Sequence, residues 1–519
     1  MGAHRSTHAK PRRAIPTRRL GRDARTGTTG GPFSGDVLLR PPSLTASPRT
    51  GKSCLLTDRL SWRCPVTFAE ESTRSLDRAD LIALDAAERL EALRRYLREV
   101  YAEATGQQAP SADEPLYVES IAAIQFQVIV ETDLGVSLRL HELAETPTLD
   151  VLAETIERAV RTTDPVDASE VAVLVVDEGG RFEPFGLTDV QHAYWLGRGG
   201  LFELGDVATH LYLEFESVEF DVVRAEGVLR RLVERHEMLR CVVRSDGRQQ
   251  VLGEVGEVRV GFEDLSGLSV EDAGVRVAAV RDELSHEVRP ADVWPLFEFR
   301  AQRLPGGVFR VHVSVDLLVA DASSIRVLLG EWARLWVDVD AELPSLGLSF
   351  RDYVLSVGAV SEGAAVERAR EYWLGRVESL AAAPELPLVP VVEGAATRFV
   401  RREFRLDGVR WGRLKEAAAG LGVTPSVVLL AAYAEVLGLW AKNPRFTVNL
   451  TVGERLPVHA DVGNVVGDFT GLVLCEVDVS VGASFVERAR AVQERLWEDL
   501  EHRGFGGVRV LRELARVHG

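Results

Sequence analysis

Fourteen consecutive residues, Val427–Trp440, carry a single charge, Glu435, and no proline. The run is shorter than the ~18 apolar residues that a membrane span needs. As a helix it is apolar around most of its circumference, which predicts burial on most sides. Covering it takes layers of other structure. A chain of 519 residues can supply them, being long enough for roughly two to four folded units. With 46% hydrophobic and 27% charged residues, the chain has a soluble globular composition, which excludes collagen-like, fibrous and wholly disordered classes.

The segments around this helix set the fold class. Leu211–Glu216, Phe309–Val315, Phe446–Val452 and Leu472–Val477 read as strands. Leu239–Val243 and Gln249–Leu252 flank the turn Ser245-Asp246-Gly247 and predict a hairpin. Val222–Arg235, Ile325–Trp336 and Val366–Leu380 read as amphipathic helices. The order is irregular rather than a βα repeat, so residues 185–519 predict a two-layer α+β fold and not a doubly wound sheet. The tryptophans Trp195, Trp336 and Trp440 are expected in the core.

Charge is distributed unevenly. Residues 1–65 hold 13 Lys/Arg against 3 Asp/Glu, while the whole chain carries −17. The remainder is therefore strongly acidic, which argues against nucleic acid as a partner of the folded part. Residues 1–69 read as a disordered basic extension or translated leader, with no apolar targeting core. Only four cysteines occur, Cys54, Cys64, Cys241 and Cys475, so neither a disulfide framework nor a four-thiolate metal site is expected. A reducing cytoplasm is the default compartment, and no membrane partner is expected.

Residues 70–162 form a separate helical unit. Leu81, Leu84, Leu90, Leu93, Leu97 and Val100 recur at helical spacing, and Ile121–Val130 and Val151–Val160 follow. Thr148 or Asp150 is a candidate cap for the last helix. Three or four short helices make a small bundle. Residues 163–184 read as a linker with one local strand, Val171–Val176.

The bundle resembles a carrier protein of nonribosomal peptide and polyketide synthases. Val118-Glu119-Ser120-Ile121 stands where that family has its attachment motif, and Leu134-Gly135-Val136 and Thr146-Pro147-Thr148-Leu149 follow as later landmarks. The resemblance implies 4′-phosphopantetheine as cofactor, esterified to Ser120. A hydroxyl at a helix N-terminus suits an incoming phosphate. The motif departs from the family: Tyr117 stands for a glycine and Glu119 for an aspartate.

Residues 185–519 hold a second ordered series. Phe185–Arg198 is followed by Arg235-His236-Glu237-Met238-Leu239-Arg240, then Asp316-Leu317-Leu318-Val319-Ala320-Asp321-Ala322-Ser323-Ser324. Asn449-Leu450-Thr451 and Gly467-Asp468-Phe469-Thr470-Gly471-Leu472 close it. In combination these motifs resemble the heterocyclization domain of nonribosomal peptide synthetases, a variant of condensation domains. Asp316, Asp321 and Ser324 fill that variant's Asp-x-x-x-x-Asp-x-x-Ser pattern. The resemblance implies a two-lobed, chloramphenicol-acetyltransferase-like fold with a tunnel fed by acyl- and aminoacyl-carrier proteins or domains.

It implies further that an amine of carrier-bound Cys, Ser or Thr attacks an acyl thioester, and that the side chain then closes a thiazoline or oxazoline ring with loss of water. Leu317 occupies the position of the condensation histidine and cannot accept a proton. A semi-buried carboxylate with a raised pKa can take a proton and return it. Asp468 is the candidate, with Thr451 as first choice of orienting hydroxyl and Thr447 and Thr470 as alternatives. Asp316 and Asp321 are candidate site residues, or buried carboxylates that fix an interface through arginine. Gln191 and Tyr194 are expected to line or seal the tunnel. No metal is expected. The family continues beyond a segment like Gly506–His518, so the domain is expected to be incomplete at its C-terminus, with an exposed sheet edge. Amino-acid activation is expected from an adenylation domain on another chain. The alternative function is a non-catalytic remnant that only docks on partner synthetases.

Overall fold

The bundle's helices are set by their end signals. The computed structural model describes residues 76–518 apart from 77, 117, 137, 145–146, 163–173, 200–204, 360–362, 390–396, 401, 457, 481 and 483. The expected basic extension, 1–69, lies outside them, as does the side chain of Ser120. Helix α1 (Arg78–Ala83) leads into α2 (Ala86–Thr105), where Asp85 and Glu88 form a capping box and Gly106 ends the helix at φ 67°. This is the left-handed conformation that glycine adopts without strain. Helix α3 (Ser120–Leu134) ends likewise at Gly135, and α4 (Leu140–Ala144) and α5 (Leu149–Thr162) follow. Thr148 Oγ1 accepts from the Val151 amide at 3.2 Å, so it caps α5 as its position suggests. Leu93, Leu97, Val100, Phe126, Leu134, Leu152 and Ile156 fill the interior. Arg78 pins two helix ends by donating to the Gly135 and Val160 carbonyls. The bundle has five described helices, because the short Arg78–Ala83 and Leu140–Ala144 turns carry too few residues to show a period.

Residues 185–359 build a first core. Strand β1 (Phe185–Gly186) and helix α6 (Asp189–Gly197) open it, followed by β2 (His210–Ser217) and α7 (Val222–Arg235). The expected hairpin forms as β3 (Cys241–Val243) and β4 (Arg248–Val251), and β1 extends it to three strands. A four-stranded sheet in the order β2-β7-β6-β5 combines β2 with β5 (Gly261–Asp264), β6 (Phe297–Arg303) and β7 (Phe309–Asp316). Helix α8 (Val270–His286) joins the parallel pair β5 and β6. Val311, Val313 and Val315 alternate into the core from β7, as period 2 requires. Helices α9 (Ala322–Val337) and α10 (Phe350–Ala359) complete this part.

The second core holds α11 (Ala364–Arg376), α12 (Gly408–Gly420), α13 (Pro425–Trp440), the strands β8 (Arg445–Gly453) and β9 (Thr470–Asp478), α14 (Phe485–Glu501) and α15 (Gly507–His518). The bundle's interior is continuous with it. β8 and β9 pair antiparallel from Arg445↔Asp478 to Gly453↔Thr470 as a two-stranded sheet. Their connection, 454–469, is not a turn. It crosses to the first core, where Val462, Val465, Val466 and Phe469 are buried.

Three expectations fail. Helix α13 is not buried on most sides: Leu429, Tyr433, Val436, Leu439 and Trp440 are exposed, Trp440 at 65%. Of the expected strand Val171–Val176, residues 171–173 lie outside the described residues; the described part, Leu174–Val176, forms no strand, and it is pinned to α10 by Val175 N–H to Ser356 Oγ and, just beyond, Asp177 N–H to Asp352 Oδ1. Helix α11 stops at Arg376, short of Leu380. Among the described residues no single helix is long and apolar enough to cross a membrane; α12 and α13 reach that length only as a pair bent by 96°.

Candidate active site

The Asp-x-x-x-x-Asp-x-x-Ser motif folds as a clamp on the loop that carries Asp468. Asp321 is the N-cap of α9, accepting from the Ser324 amide at 2.7 Å. Its own N–H donates to the Gly467 carbonyl at 2.9 Å. Ser324 Oγ donates to the same carbonyl at 2.8 Å and accepts from the Gly467 N–H at 3.0 Å. Both polar groups of Gly467 are thereby held in the protein interior, where an unpaired one is costly. Glycine is required there by space: a Cβ would collide with the Phe350 ring.

Arg455 completes the clamp. Its Nη2 donates to Asp321 Oδ1 at 2.9 Å and to Ser324 Oγ at 2.8 Å, and its Nη1 to the carbonyls of Val462 and Val465. The guanidinium stacks 4.0 Å above the Phe469 ring. Phe469 packs edge-on against Phe350 and Tyr353.

Held this way, Asp468 has no solvent exposure. Its Oδ1 accepts from the Thr470 amide at 3.2 Å, and Oδ2 has no hydrogen-bond partner among the described residues. Burial raises its pKa to about 7. The Thr470 hydroxyl and amide pull it back, whereas the negative charges of Asp321 and Glu454 push it further up. Tyr194 on α6 feels the Asp468 charge and is raised to about 12, chiefly by burial. Glu454, where the chain leaves β8, is also raised to about 7 by burial. Its carboxylate occupies the space above Gly471, where any Cβ would strike it. A buried carboxyl poised near neutrality, with one oxygen free, can take a proton and give it back.

The structure separates the other candidates. Thr451 is exposed on β8 opposite Leu472, and Thr447 Oγ1 donates to the Ala381 carbonyl at 2.6 Å. The hydroxyl beside Asp468 is therefore that of Thr470. Asp316 is buried, accepts from the Leu318 amide at 3.0 Å and is ion-paired to Arg198. Gln191 is fully buried and exchanges two amide hydrogen bonds with Gln249, while its Nε2 also reaches the Leu318 carbonyl at 2.7 Å. It ties α6 to the segment after Asp316. The buried imidazoles lie elsewhere: His236 Nε2 meets Glu331, and His312 bridges Tyr212 and Gln302. A cavity of about 480 Å³ is lined by Arg235, His236, Asp352 and Val466, but Asp468 does not line it. Among the described residues no His, Cys, Asp or Glu group could hold a metal ion. Cys241 and Cys475 are free and buried.

Residues 204–518 match the Condensation domain family. This chain belongs to that family. It is 38% identical over 362 residues to the pyochelin synthetase PchF of Pseudomonas aeruginosa, covering 68% of this chain and 20% of that protein. It is 35% identical over 394 residues to the phenyloxazoline synthase MbtB of Mycolicibacterium paratuberculosis, covering 74% of this chain and 33% of that protein. The cyclization–docking bidomain of the nonribosomal peptide synthetase EpoB from Sorangium cellulosum superposes with a TM-score of 0.63 at 31% identity, over 83% of this chain and 81% of that one. The chain thus spans a third or less of these curated relatives' length.

Sequence reasoning missed Arg455 and Glu454. Their signal is a charged pair directly after a strand and ahead of an apolar segment, a placement where a cation must find buried acceptors.

Proposed function

We propose that residues 185–519 form a heterocyclization domain, joining a carrier-bound acyl group to carrier-bound Cys, Ser or Thr and closing the product to a thiazoline or oxazoline. The two cores then correspond to the lobes of an acetyltransferase-like fold. The observation that carries the reading is Asp468: fully buried, its pKa raised by burial to about 7, one oxygen without a partner among the described residues, and held by a motif that contains no imidazole. The names of MbtB and EpoB, a phenyloxazoline synthase and a cyclization domain, support it.

In the first step the amine attacks the acyl thioester, the C–N bond forms, the C–S bond breaks, and the proton lost by the nitrogen goes to the departing thiolate. In the second the side-chain sulfur or oxygen attacks the amide carbonyl and gives a tetrahedral hydroxyl adduct. Asp468 as carboxylate accepts the nitrogen's proton. As carboxylic acid it delivers a proton to the departing hydroxyl, so one water leaves and a C=N bond forms. The backbone amide of Thr470 fixes one carboxyl oxygen and leaves Oδ2 for this exchange. Asp316 and Asp321 act through Arg198 and Arg455 as positioning residues.

The bundle, within 70–162, is a carrier-protein domain in this reading, and 163–184 is its linker. Ser120 begins α3, where Glu119 supplies no side-chain cap, so the first-turn N–H groups are open to a phosphate. Ser120 would hold 4′-phosphopantetheine, whose thiol supplies a thioester on a flexible arm. The alignment with MbtB covers 74% of the chain, which is more than residues 185–519 can supply. Loaded carriers and an adenylation domain are the partners in this reading.

The test supplies an acyl-loaded donor and a cysteinyl-loaded acceptor carrier and follows product mass. Ring closure shows as loss of one water from the amide. Asp468→Asn is expected to leave the amide uncyclised; undiminished ring formation in that variant removes Asp468 from the mechanism. Uncyclised amide alone from the parent chain would assign ordinary condensation. Mass gain at Ser120 with coenzyme A and a phosphopantetheinyl transferase tests the carrier assignment.

A further inference from the structure

Two acceptor atoms at one cavity have nothing to accept. The cavity, of about 480 Å³, falls in the range of about 300–1,000 Å³ that small-molecule sites occupy. Leu346, Leu348, Phe350 and Val466 give it an apolar lining. Phe350 is the ring that Gly467 packs against, and Val466 directly precedes Gly467, so the cavity backs onto the Asp468 loop. His236 and Glu237, which follow α7, line it as well.

The polar groups there are committed one by one. Arg235 Nε donates to Glu331 Oε1 at 3.0 Å and His236 Nε2 to Glu331 Oε2 at 2.7 Å. A carboxylate only accepts, so Nε2 carries the ring's proton. With Arg235 supplying the counter-charge, the neutral imidazole leaves Nδ1 as an acceptor. Nδ1 is buried and has no hydrogen-bond partner among the described residues. Glu237 Oε1 accepts from Arg181 Nε at 2.7 Å, whereas its Oε2 is buried and without such a partner. The cations are spent: Arg181 on Glu237, Arg235 on Glu331 and the Pro344 carbonyl, and Arg231 on the carbonyls of Val339 and Ala341. Glu178 and Glu234 are exposed at the cavity and have no ion pair among the described residues.

We propose that this cavity binds a small primary ammonium carried on an apolar body. Its N–H groups meet His236 Nδ1 and Glu237 Oε2, and the body lies against Leu348, Phe350 and Val466. An acceptor buried without a donor is costly, and an ammonium brings three donors to two such atoms. Glu178 and Glu234 draw a cation toward the cavity. A carboxylate or phosphate would meet the same acids and acceptors and find every arginine taken. The site does not depend on the heterocyclization reading, and Asp468 does not line it.

Isothermal titration calorimetry on the full chain tests the assignment. The amine probe is L-leucinamide. The references are 4-methylpentanamide, the same molecule without its amino group, and 4-methylpentanoate, the corresponding anion. Leucinamide is expected to bind saturably and about tenfold or more tighter than 4-methylpentanamide, and 4-methylpentanoate is expected not to bind. Glu237→Gln, which keeps the shape and removes the charge, should weaken leucinamide by about tenfold. Leu346→Trp, which fills the cavity and leaves both acceptors in place, should abolish binding. Circular dichroism checks that each variant folds; where one does not, the parent's preference among the three probes decides. No saturable leucinamide binding, equal affinity for the three probes, or parental affinity in a folded Glu237→Gln or Leu346→Trp overturns the proposal, and the two acceptors are then served by water alone.

Discussion

The loop at Gly467–Asp468 and the helix α13 are both flanked by apolar sequence, yet the protein treats them oppositely. The loop is polar at its centre and fully interior. Every backbone group of Gly467 is paired, and an arginine, a serine and an aspartate from two other segments converge on it. Helix α13 is apolar nearly throughout, yet one side stays open, from Leu429 through Tyr433 and Val436 to Trp440. These positions recur at i, i+4, i+7 and i+11, one face of a 3.6-residue period. Hydrophobicity thus told where a helix forms but not what covers it. The loop is tied down by polar residues whose spacing, in Asp321 and Ser324, places both at the start of α9.

The comparison breaks most sharply at the loop. Gly467→Ala puts a methyl into the Phe350 ring, and overpacking of this kind costs about 1–3 kcal/mol. Because the displaced residue is the neighbour of Asp468, ring closure should fall by more than amide formation does. Ser324→Ala leaves the Gly467 amide without its acceptor and the Arg455 guanidinium with one acceptor fewer. The expected loss is about 1–3 kcal/mol in urea unfolding, again with selective loss of cyclisation. Equal losses in both steps would mean that the clamp holds the fold and not the carboxylate.

Much of this was legible in advance, for a physical reason. β2 and β7 were legible because apolar residues recur at every second position along them, even where, as in β7, the polar residues between are buried as well. The motif Asp316 to Ser324 was legible by its residue types, since two acids and a hydroxyl seldom recur in an apolar stretch without partners to satisfy. The partners were not legible. Arg455 lies far along the chain from Asp321, and Arg198 equally far from Asp316, so only the tertiary fold brings each pair together. The place of Thr451 was hidden for a related reason. It precedes the site in sequence, but the register Thr451↔Leu472 puts it on the open side of β8, while Thr470 stands at the hairpin's base beside Asp468. Helix α8 and strand β5 were missed because four residues of strand and a helix of mixed burial carry little periodic signal.

A pH series sharpens the contrast between interior carboxyls and surface ones. Asp468 has its folded pKa raised from the ordinary 3.8 to about 7, and Glu454 from 4.5 to about 7. A raised folded pKa means that the folded state holds a proton the unfolded chain would release. The contribution is fully present below the unfolded pKa and is lost as pH rises through the folded one. Stability is therefore expected to decline between about pH 4 and pH 7 on account of these two groups. Asp468→Asn should flatten that decline and be relatively more stable at pH 8 than the parent. An unaltered slope in denaturant titrations would show that Asp468 is not buried as a proton-holding acid.

The smallest effects are expected within α13, where buried and open faces share one backbone. Val427 has no exposure, and Val427→Ala should cost about 1–2 kcal/mol, since a methylated side chain leaves a packed interior and the cavity relaxes only in part. Trp440 and Leu439 are 65% and 83% exposed, and substitutions at positions like these usually change stability by no more than about 0.5 kcal/mol. Trp440→Ser and Leu439→Ser should therefore leave the urea midpoint almost unchanged. They should also reduce self-association at high concentration, because a contiguous apolar face in water favours burial against any available surface. The two measurements separate two accounts of the helix. If Trp440→Ser destabilised the chain as much as Val427→Ala, the face would already be covered, and the asymmetry between α13 and the Asp468 loop would vanish. If it left stability intact and sedimentation showed less association, the open stripe would be a property of the folded chain in solution, with apolar periodicity reporting helix formation and tertiary partners alone deciding burial.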